Sequence, residues 1–255
     1  MFAVRKSLLT LLAVALALFA LSGAEARAGN RVRLVCDIWP PYQFRTGTGV
    51  GGMSVEIVKA VYGRLGYTEF DIQAFPWKRA MDAIRFGEAD ALFSANLTTA
   101  RAVYLCYPDE PLFESSWVVW TRAGSCILTL DDLRGKRLGV VLGYSYTDEF
   151  REFIQANCLV EEAHNDRINF KKLSLGRLDA LVAESGNGAY LTRALNDESI
   201  IPIPRIEIKK DGLYVVFNRK QCREDFVKRF SEELKAFKQT EEHRLIRAKY
   251  LGVED

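Results

Sequence analysis

The alternation of apolar and polar positions after residue 30 predicts strands and helices in turn. Val32, Leu34 and Cys36 alternate with mostly charged neighbours in residues 31–37, which is the period of a half-buried strand. Residues 53–65 carry apolar side chains at helical spacing and end before a glycine, which predicts a helix. The same two periods continue as strand, helix and strand over residues 70–75, 77–86 and 89–93. This βαβαβ order predicts a parallel sheet covered by helices.

The second half of the chain repeats part of this order of elements, with a weaker sequence pattern. Residues 173–182 mirror residues 84–93, since both run from a helix through a glycine turn and an aspartate into an apolar strand. The echo predicts two lobes of similar architecture. Further strands are predicted over residues 116–122, 137–142 and 213–217.

Two helices complete the predicted pattern. Ser145 and Asp148 fit a capping box, which predicts that a helix begins at this point. Residues 224–250 have helical periodicity, and we expect their apolar stripe to pack into the core. The stripe consists of Phe226, Phe230, Leu234 and Phe237.

The first 28 residues have the pattern of a secretory signal peptide. Arg5 and Lys6 precede an apolar run over residues 8–21, and small residues follow up to a cleavage site at Ala26 or Ala28. The run is too short to span a bilayer comfortably, and no later segment is long enough. The sequence therefore predicts a soluble, exported protein.

The charge of the chain excludes some partners. The full sequence has 35 basic and 33 acidic residues, and the signal peptide contains Arg5, Lys6, Arg27 and Glu25. The mature chain is left with 32 residues of each sign. This balance gives no electrostatic reason to expect nucleic acid or an anionic membrane as partner.

The five cysteines face an oxidising compartment if the chain is exported. None forms a C-x-x-C pair, which disfavours a metal or dithiol redox site. The odd number leaves at least one cysteine unpaired in a monomer. A bridge between Cys126 and Cys158 is one hypothesis, and buried free thiols are the alternative.

A polar stretch after the third predicted strand is the first candidate for binding chemistry. Ser94, Asn96 and Thr98 precede Arg101, where a helix could begin. Hydroxyl, amide and guanidinium groups together suit the capture of a carboxylate. Ordinary helix capping explains the same residues equally well.

Six motifs, taken in order, resemble the periplasmic solute-binding proteins of family 3, which serve polar amino-acid ABC importers. The resemblance extends over residues 31–250. The motifs are Trp39-Pro40-Pro41-Tyr42, Gly52 through Leu65-Gly66, Trp77 with Gly87-Glu88-Ala89-Asp90, Thr98 through Arg101 with Pro108, residues 132–140 with Gly143, and residues 176–180.

The resemblance implies a fold and a division of the chain. It implies an α/β, two-lobe periplasmic-binding fold of type II, in which each lobe is a mainly parallel sheet flanked by helices and two hinge strands join the lobes. Residues 29–116 and 217–255 would form lobe 1, and residues 117–216 would form lobe 2.

The resemblance also implies a ligand-binding set. Arg101 occupies the position that pairs with the ligand α-carboxylate, and Glu184 replaces the aspartate that usually holds the α-ammonium. Ser145 lies at a helix start that adds N–H donors, and aromatic walls would hold the ligand side chain. The implied set is Arg101, Asn96, Ser94, Trp39, Trp77, Ser145 and Glu184. Helix capping, core packing and a solvated loop acid are the structural alternatives for Ser145, the tryptophans and Glu184.

The family also contains periplasmic enzymes, such as cyclohexadienyl dehydratases, and sensory domains. We expect His164 and His243 to be solvated, and the catalytic motifs G-x-S-x-G and H-E-x-x-H do not occur. Glu184 is the one candidate base. The expectation is a monomeric, non-catalytic binding protein without cofactor or metal, which delivers an amino-acid-like ligand to an ABC permease of the inner membrane. The sequence does not name the ligand.

Overall fold

The computed structural model describes residues 31–252 of the chain. The strands are β1 (Arg31–Cys36), β2 (Phe44–Thr46), β3 (Gly49–Gly51), β4 (Glu69–Ala74), β5 (Ala91–Asn96), β6 (Leu105–Cys106), β7 (Phe113–Arg122), β8 (Arg137–Val141), β9 (Leu159–Ala163), β10 (Ala180–Glu184) and β11 (Ile200–Asn218). The helices are α1 (Met53–Arg64), α2 (Trp77–Arg85), α3 (Thr99–Ala102), α4 (Asp148–Asn157), α5 (Asp166–Ser174), α6 (Ser185–Leu195), α7 (Glu224–Phe237) and α8 (Glu241–Leu251). The predicted signal peptide lies outside the described residues. Within them, no helix is long and apolar enough to cross a membrane.

The main sheet consists of two parallel blocks joined by two long strands. Its order is β4-β1-β5-β11-β7-β10-β8-β9. β1 pairs in parallel with β4 and β5, and β8 pairs in parallel with β9 and β10. β7 and β11 run antiparallel to each other and to the neighbouring blocks. This is the predicted two-lobe α/β fold with two hinge strands.

β11 is the longer hinge strand and differs from the prediction. The sequence indicated a strand only over residues 213–217, whereas the structure has 19 residues in extended conformation. The pairing of β11 with β7 shifts register between Ile203 and Lys209. Pro202 and Pro204 lie in or next to this stretch and donate no ladder hydrogen bond. The ladder is therefore weakest midway between the two blocks.

The internal echo corresponds to the same ion pair in both blocks. Asp90, just before β5, accepts hydrogen bonds from the backbone N–H and the guanidinium of Arg33 on β1. Asp179, just before β10, accepts the same two kinds of bond from Arg137 on β8. In each lobe an aspartate after a glycine turn thus fixes the start of one strand against its parallel neighbour.

The C-terminal region is two helices instead of one. α7 ends at Phe237. The Thr240 hydroxyl then caps α8 by accepting a hydrogen bond from the His243 N–H at 3.3 Å. Phe230, Leu234 and Phe237 are fully buried, which confirms the predicted core stripe. His243 is also buried, with its ring edge-on to Phe237 at 5.7 Å. The expectation that His243 is solvated was wrong.

The disulfide hypothesis was also wrong. The structure joins Cys106 to Cys222 and leaves Cys126 and Cys158 as free thiols. Cys106 on β6 pairs with Phe217 on β11, and the chain then turns back, with the Cys222 N–H bonded to the Asn218 carbonyl. This strand pairing, which sequence spacing does not reveal, brings the two cysteines together.

Candidate functional site

Six of the seven predicted site residues line one small cavity between the two blocks of the sheet. The cavity measures about 20 Å³, which is room for a single water molecule. It lies beyond the carboxyl ends of β1, β5 and β8, where open α/β sheets place their ligands. Its lining consists of Asp37, Trp39, Trp77, Ser94, Asn96, Arg101, Trp117, Tyr144 and Ser145. The sequence missed Asp37, Trp117 and Tyr144.

Arg101 is a buried cation without a counter-ion. It is 7 % exposed, and it forms no ion pair within residues 31–252. Its Nη1 and Nη2 donate to the carbonyls of Asn96 and Gly143, both at 3.2 Å, and its guanidinium lies 5.2 Å from the Trp77 ring centre. Burial lowers its pKa. A buried charge held only by carbonyl dipoles and a ring can be stabilised further by an anion.

The Ser94–Arg101 stretch contains a helix cap, and this cap is compatible with the predicted ligand-binding role of Arg101. β5 continues to Asn96, and α3 is a single turn. Thr98 is its N-cap, because the Thr98 hydroxyl accepts a hydrogen bond from the Arg101 N–H at 3.2 Å. The cap therefore fixes the backbone from which the Arg101 side chain enters the cavity.

Ser94 is held by a β-bulge. Its φ of 65° lies in the left-handed region, and the register of β5 against β11 shifts at this point. The Ser94 hydroxyl donates to Gln43 Oε1 at 3.1 Å, so the contact with the Ser54 hydroxyl uses Ser54 as donor. Gln43 in turn donates to Asp37 Oδ1 at 3.0 Å. Ser94 thus belongs to a network that orients Asp37.

Asn96 and Ser145 belong to a ring of hydrogen bonds that includes two residues of the hinge strand. Asn96 Nδ2 and Lys209 Nζ both donate to Asp211 Oδ2 at 3.2 Å. Lys209 also donates to the Ser145 hydroxyl at 3.3 Å, and this hydroxyl donates to Asn96 Oδ1 at 3.4 Å. The ring connects β5, β11 and the loop after β8. The sequence did not indicate Lys209 and Asp211 as site residues, because the hinge strand was predicted to start only at residue 213.

Ser145 is not the helix cap that the sequence indicated. α4 begins at Asp148, and its N-cap is Thr147, whose hydroxyl accepts from the Phe150 N–H at 3.2 Å. The capping box was therefore assigned two residues too early. The hydroxyl of Ser145 faces the cavity instead.

The Gly143 carbonyl holds the two blocks together. It accepts hydrogen bonds from Arg101 and from Trp77 Nε1, the latter at 3.0 Å. Asn187 adds a further contact across the cleft by donating to the Pro40 carbonyl at 2.5 Å. These bonds join the β4-β1-β5 block to the β10-β8-β9 block, so the structure is a closed conformation.

Trp39 and Trp77 line a second, larger cavity as well. This cavity measures about 270 Å³ and shares Asp37 with the small one. Trp39 stacks on Trp117 at 5.8 Å, and Trp77 lies edge-on to Tyr144 at 6.1 Å. Both tryptophans are buried, and they combine core contacts with a place in the lining of both cavities.

Glu184 does not line the small cavity. It is the N-cap of α6, where its carboxylate accepts from the N–H groups of Gly186 and Asn187 at 3.0 and 2.7 Å and from the Tyr42 hydroxyl at 3.0 Å. Gly186 permits this packing, because a Cβ there would lie 2.3 Å from the Tyr42 oxygen. Burial raises the pKa of Glu184 to about 7 despite these hydrogen bonds.

A pair of buried carboxylates meets at Tyr144. Its hydroxyl lies 3.2 Å from Asp37 Oδ2 and 3.2 Å from Asp166 Oδ2. Burial raises the pKa of Asp37 to about 6. Burial and the neighbouring Asp37 raise the pKa of Asp166 to about 7. Periodicity gave no signal for this pair, since Asp37 ends a strand and Asp166 begins a helix, which are ordinary places for an aspartate.

Comparisons with known proteins identify the family and the fold. The sequence profile of the bacterial extracellular solute-binding proteins, family 3, matches residues 32–253. The arginine-binding extracellular protein ArtP of Bacillus subtilis (strain 168) is 22 % identical over 231 residues, which cover 90 % of this chain and 89 % of ArtP.

Two solved structures have the same fold. An ancestral arginine-binding protein bound to arginine superimposes with a TM-score of 0.78 at 20 % identity, covering 88 % of this chain and 99 % of that one. The ancestral amino acid-binding protein AncCDT-1, a precursor of cyclohexadienyl dehydratase, gives 0.75 at 18 % identity, covering 87 % and 96 %.

Proposed function

Because the chain belongs to the bacterial extracellular solute-binding proteins, family 3, we propose that it captures an amino acid in the cleft and delivers it to an ABC importer. Its place would be the periplasm, reached through the signal peptide of residues 1–28, and its partner an inner-membrane permease. It would act as a monomer. Lobe 1 would comprise residues 29–116 and 217–255, and lobe 2 residues 117–216.

The observation that carries this proposal is Arg101. A guanidinium presents paired N–H donors that match a carboxylate. Here one such group is buried in the cleft, and within residues 31–252 its hydrogen bonds go to carbonyl oxygens and its ring contact is with Trp77. Asp211 acts on it through its charge without forming an ion pair with it. A ligand carboxylate would supply the missing negative charge, and Ser145 and Asn96 would add polar contacts beside it.

The small cavity implies that the ligand enters an open form. At about 20 Å³ it cannot admit an amino acid while the lobes are closed. The bonds to the Gly143 carbonyl cross the cleft, so they must break before the lobes can separate. Binding and closure are then linked, because the ligand forms contacts in the closed form that the open form does not offer.

One observation favours a second function, a periplasmic enzyme of the dehydratase type. Glu184 is buried with a pKa raised to about 7, which suits an acid or base catalyst. Its three hydrogen bonds at the start of α6 give it a structural task, and it does not line the small cavity. We therefore place the binding function first.

A thermal-shift screen of the twenty amino acids, polyamines, prephenate and L-arogenate tests the proposal. We expect one or more amino acids to raise the melting temperature by mass action and to be recovered unchanged. If no compound stabilises the protein, the amino-acid assignment fails. Consumption of prephenate or L-arogenate in the same samples would favour the enzyme.

Substitution of Arg101 by alanine or lysine tests the residue itself. Loss of charge-assisted hydrogen bonds worth about 1.5–3 kcal/mol should weaken binding about 10- to 100-fold. Arg101→Lys should recover only part of this loss, because an ammonium lacks the paired donors. Arg223→Ala is the control, since Arg223 is exposed and pairs with Asp225 outside the cleft. A ligand whose Kd is unchanged by Arg101→Ala would remove Arg101 from the site.

A further inference from the structure

We propose that Asp37, Tyr144 and Asp166 form a cation-binding subsite and that the ligand is an amino acid with a positively charged side chain. This inference rests on the proposed function, because it takes the ligand carboxylate to lie at Arg101. It adds which chemical group the ligand would carry at the end away from its carboxylate.

The two carboxylates lack sufficient donors. Asp37 and Asp166 are 7 % and 3 % exposed, and neither forms an ion pair within the described residues. The Tyr144 hydroxyl has one proton, so it can donate to only one of the two at a time. Asp166 Oδ1 is buried and has no hydrogen bond in the part of the chain that the structure describes. The nearby donor that acts on this carboxylate is the Trp39 indole N–H, which also has no hydrogen bond there. A buried carboxylate oxygen without a donor is costly, and a cation would stabilise it.

The cavity beside these carboxylates fits a cationic side chain. Asp37 and Asp166 line the space of about 270 Å³, and Trp39 and Trp77 form part of its walls. Aromatic faces attract a guanidinium or ammonium group, and they pack well against its methylene stem. Asp37 also lines the small cavity with Arg101. The two cavities thus adjoin at Asp37, with a cation site on one side and an anion site on the other.

The charges in the cleft favour a ligand with a net charge of +1. Lys209 and Asp211 neutralise each other at 3.2 Å. The helix N–H groups and Tyr42 stabilise the Glu184 carboxylate. Arg45 and Arg167 also line the larger cavity, but both are exposed, so solvent screens their charges. Among the buried groups that line the two cavities, Arg101 is then the one cation without an ion pair facing Asp37 and Asp166. One carboxylate and two cationic groups on the ligand, an α-ammonium and a charged side chain, complement these three residues.

The subsite also explains how a cation would favour closure. Asp37 follows β1, whereas Tyr144 follows β8 and Asp166 begins α5, so closure brings carboxylates from both blocks together. Bringing two negative charges into a buried space is unfavourable, and protonation relieves it when no cation is present. A cationic group between them provides the same relief without a proton.

Isothermal titration with two matched ligands tests the inference on the mature protein. L-Arginine and L-citrulline have nearly the same shape, but only L-arginine has a charged side chain. L-Lysine and L-glutamine form a second pair. At pH 7.5 we expect the charged member of at least one pair to bind 30-fold or more tightly than its neutral partner. Asp166→Asn should reduce this ratio to below about 3-fold by weakening the binding of the charged member of the pair. Glu152→Gln, an exposed acid on α4, is the control.

The outcomes separate this inference from the proposed function. Binding of neutral or acidic amino acids that depends on Arg101, without preference for charged ones, would keep the proposed function and overturn the subsite. A preference that survives Asp166→Asn would overturn it too. Tyr144→Phe provides a second variant if Asp166→Asn does not fold, and the wild-type ratio is informative by itself. Absence of binding by every amino acid would refute both proposals.

Discussion

The same side chain can cap a helix or face the cleft, and Ser145 shows how this misleads sequence interpretation. A serine three residues before an aspartate is the usual pattern of a capping box. The structure gives that task to Thr147 and leaves the Ser145 hydroxyl in a ring with Asn96 and Lys209. The letters are the same in both cases, because a cap and a ligand contact require the same hydroxyl.

For Glu184, a measurement can separate a structural role from a ligand-binding role. We expect Glu184→Ala to lower the free energy of unfolding by about 1–2 kcal/mol, because the variant loses the N-cap of α6 and the acceptor of the Tyr42 hydroxyl. Urea denaturation measures this loss. We expect the ligand Kd to change less than about 3-fold in Glu184→Gln, which keeps an acceptor. A 10-fold weaker Kd in that variant would instead indicate that the Glu184 charge holds the ligand's ammonium group.

At the scale of elements, the loop after β8 and the helix α2 are in contact across the cleft. Trp77 Nε1 donates to the Gly143 carbonyl across the cleft. We expect Trp77→Phe, which keeps an aromatic wall but removes this donor, to weaken ligand binding about 2- to 10-fold, since one hydrogen bond contributes about 0.5–1.5 kcal/mol. Titration of the best ligand from the screen measures the change.

Trp120→Phe is the matched control for this variant. Trp120 is buried within the second block, where its Nε1 donates to the Ala183 carbonyl at 3.3 Å. Its substitution should lower stability without changing the Kd. An unchanged Kd in Trp77→Phe would show that the Gly143 contact does not contribute to the liganded state.

Most elements were predictable because their signals are local. The pattern of β1, α1, β4, α2 and β5 gave a parallel arrangement, and the structure has it. The features that the sequence did not predict depend on pairing between segments that lie far apart in the chain. β6 brings Cys106 to Cys222 only because it pairs with β11. The hinge half of β11 contains Pro202 and Pro204, which argue against a paired strand, although isoleucines alternate with charged residues in the stretch that follows. Pairing with β7 completes the strand across this region.

The site was predictable where a family motif marked it and not where tertiary contacts create it. Arg101 and the two tryptophans belong to such motifs. Asp37, Asp166 and Lys209 lie in three separate elements, and only folding brings them to one cleft.

At the scale of the whole molecule, the buried acids predict that stability falls as the pH rises. Asp37, Asp166 and Glu184 have pKa values raised by burial to about 6, 7 and 7. The folded state therefore binds protons more tightly than the unfolded state, so stability is highest near pH 4 and is lost as the pH passes through 6 to 7. Asp90 and Asp179, whose pKa values are lowered, affect stability only at lower pH.

Melting temperatures of the ligand-free protein from pH 5 to pH 8 measure this effect. The charged and titratable groups around the two aspartates are Tyr144, Glu184, Arg45, His164 and Arg167. We expect Asp166→Asn to flatten the slope and to gain at least about 1 kcal/mol relative to wild type at pH 8, since each pKa unit corresponds to about 1.4 kcal/mol. Glu152→Gln should keep the wild-type slope. Equal slopes for wild type and Asp166→Asn would show that Asp166 is not a source of the pH dependence.

The pairing of the two hinge strands limits how the lobes can move. β7 and β11 lie side by side and are hydrogen-bonded at both ends of their overlap, with the irregular stretch between Ile203 and Lys209. Sliding or twisting one lobe against the other would break the ladder at both ends, whereas bending at the irregular stretch would not. We therefore expect opening to be mainly a rotation about an axis through this stretch. Lys209 and Asp211 lie next to its axis and would move least, so a ligand would meet the same two charges at every stage of entry.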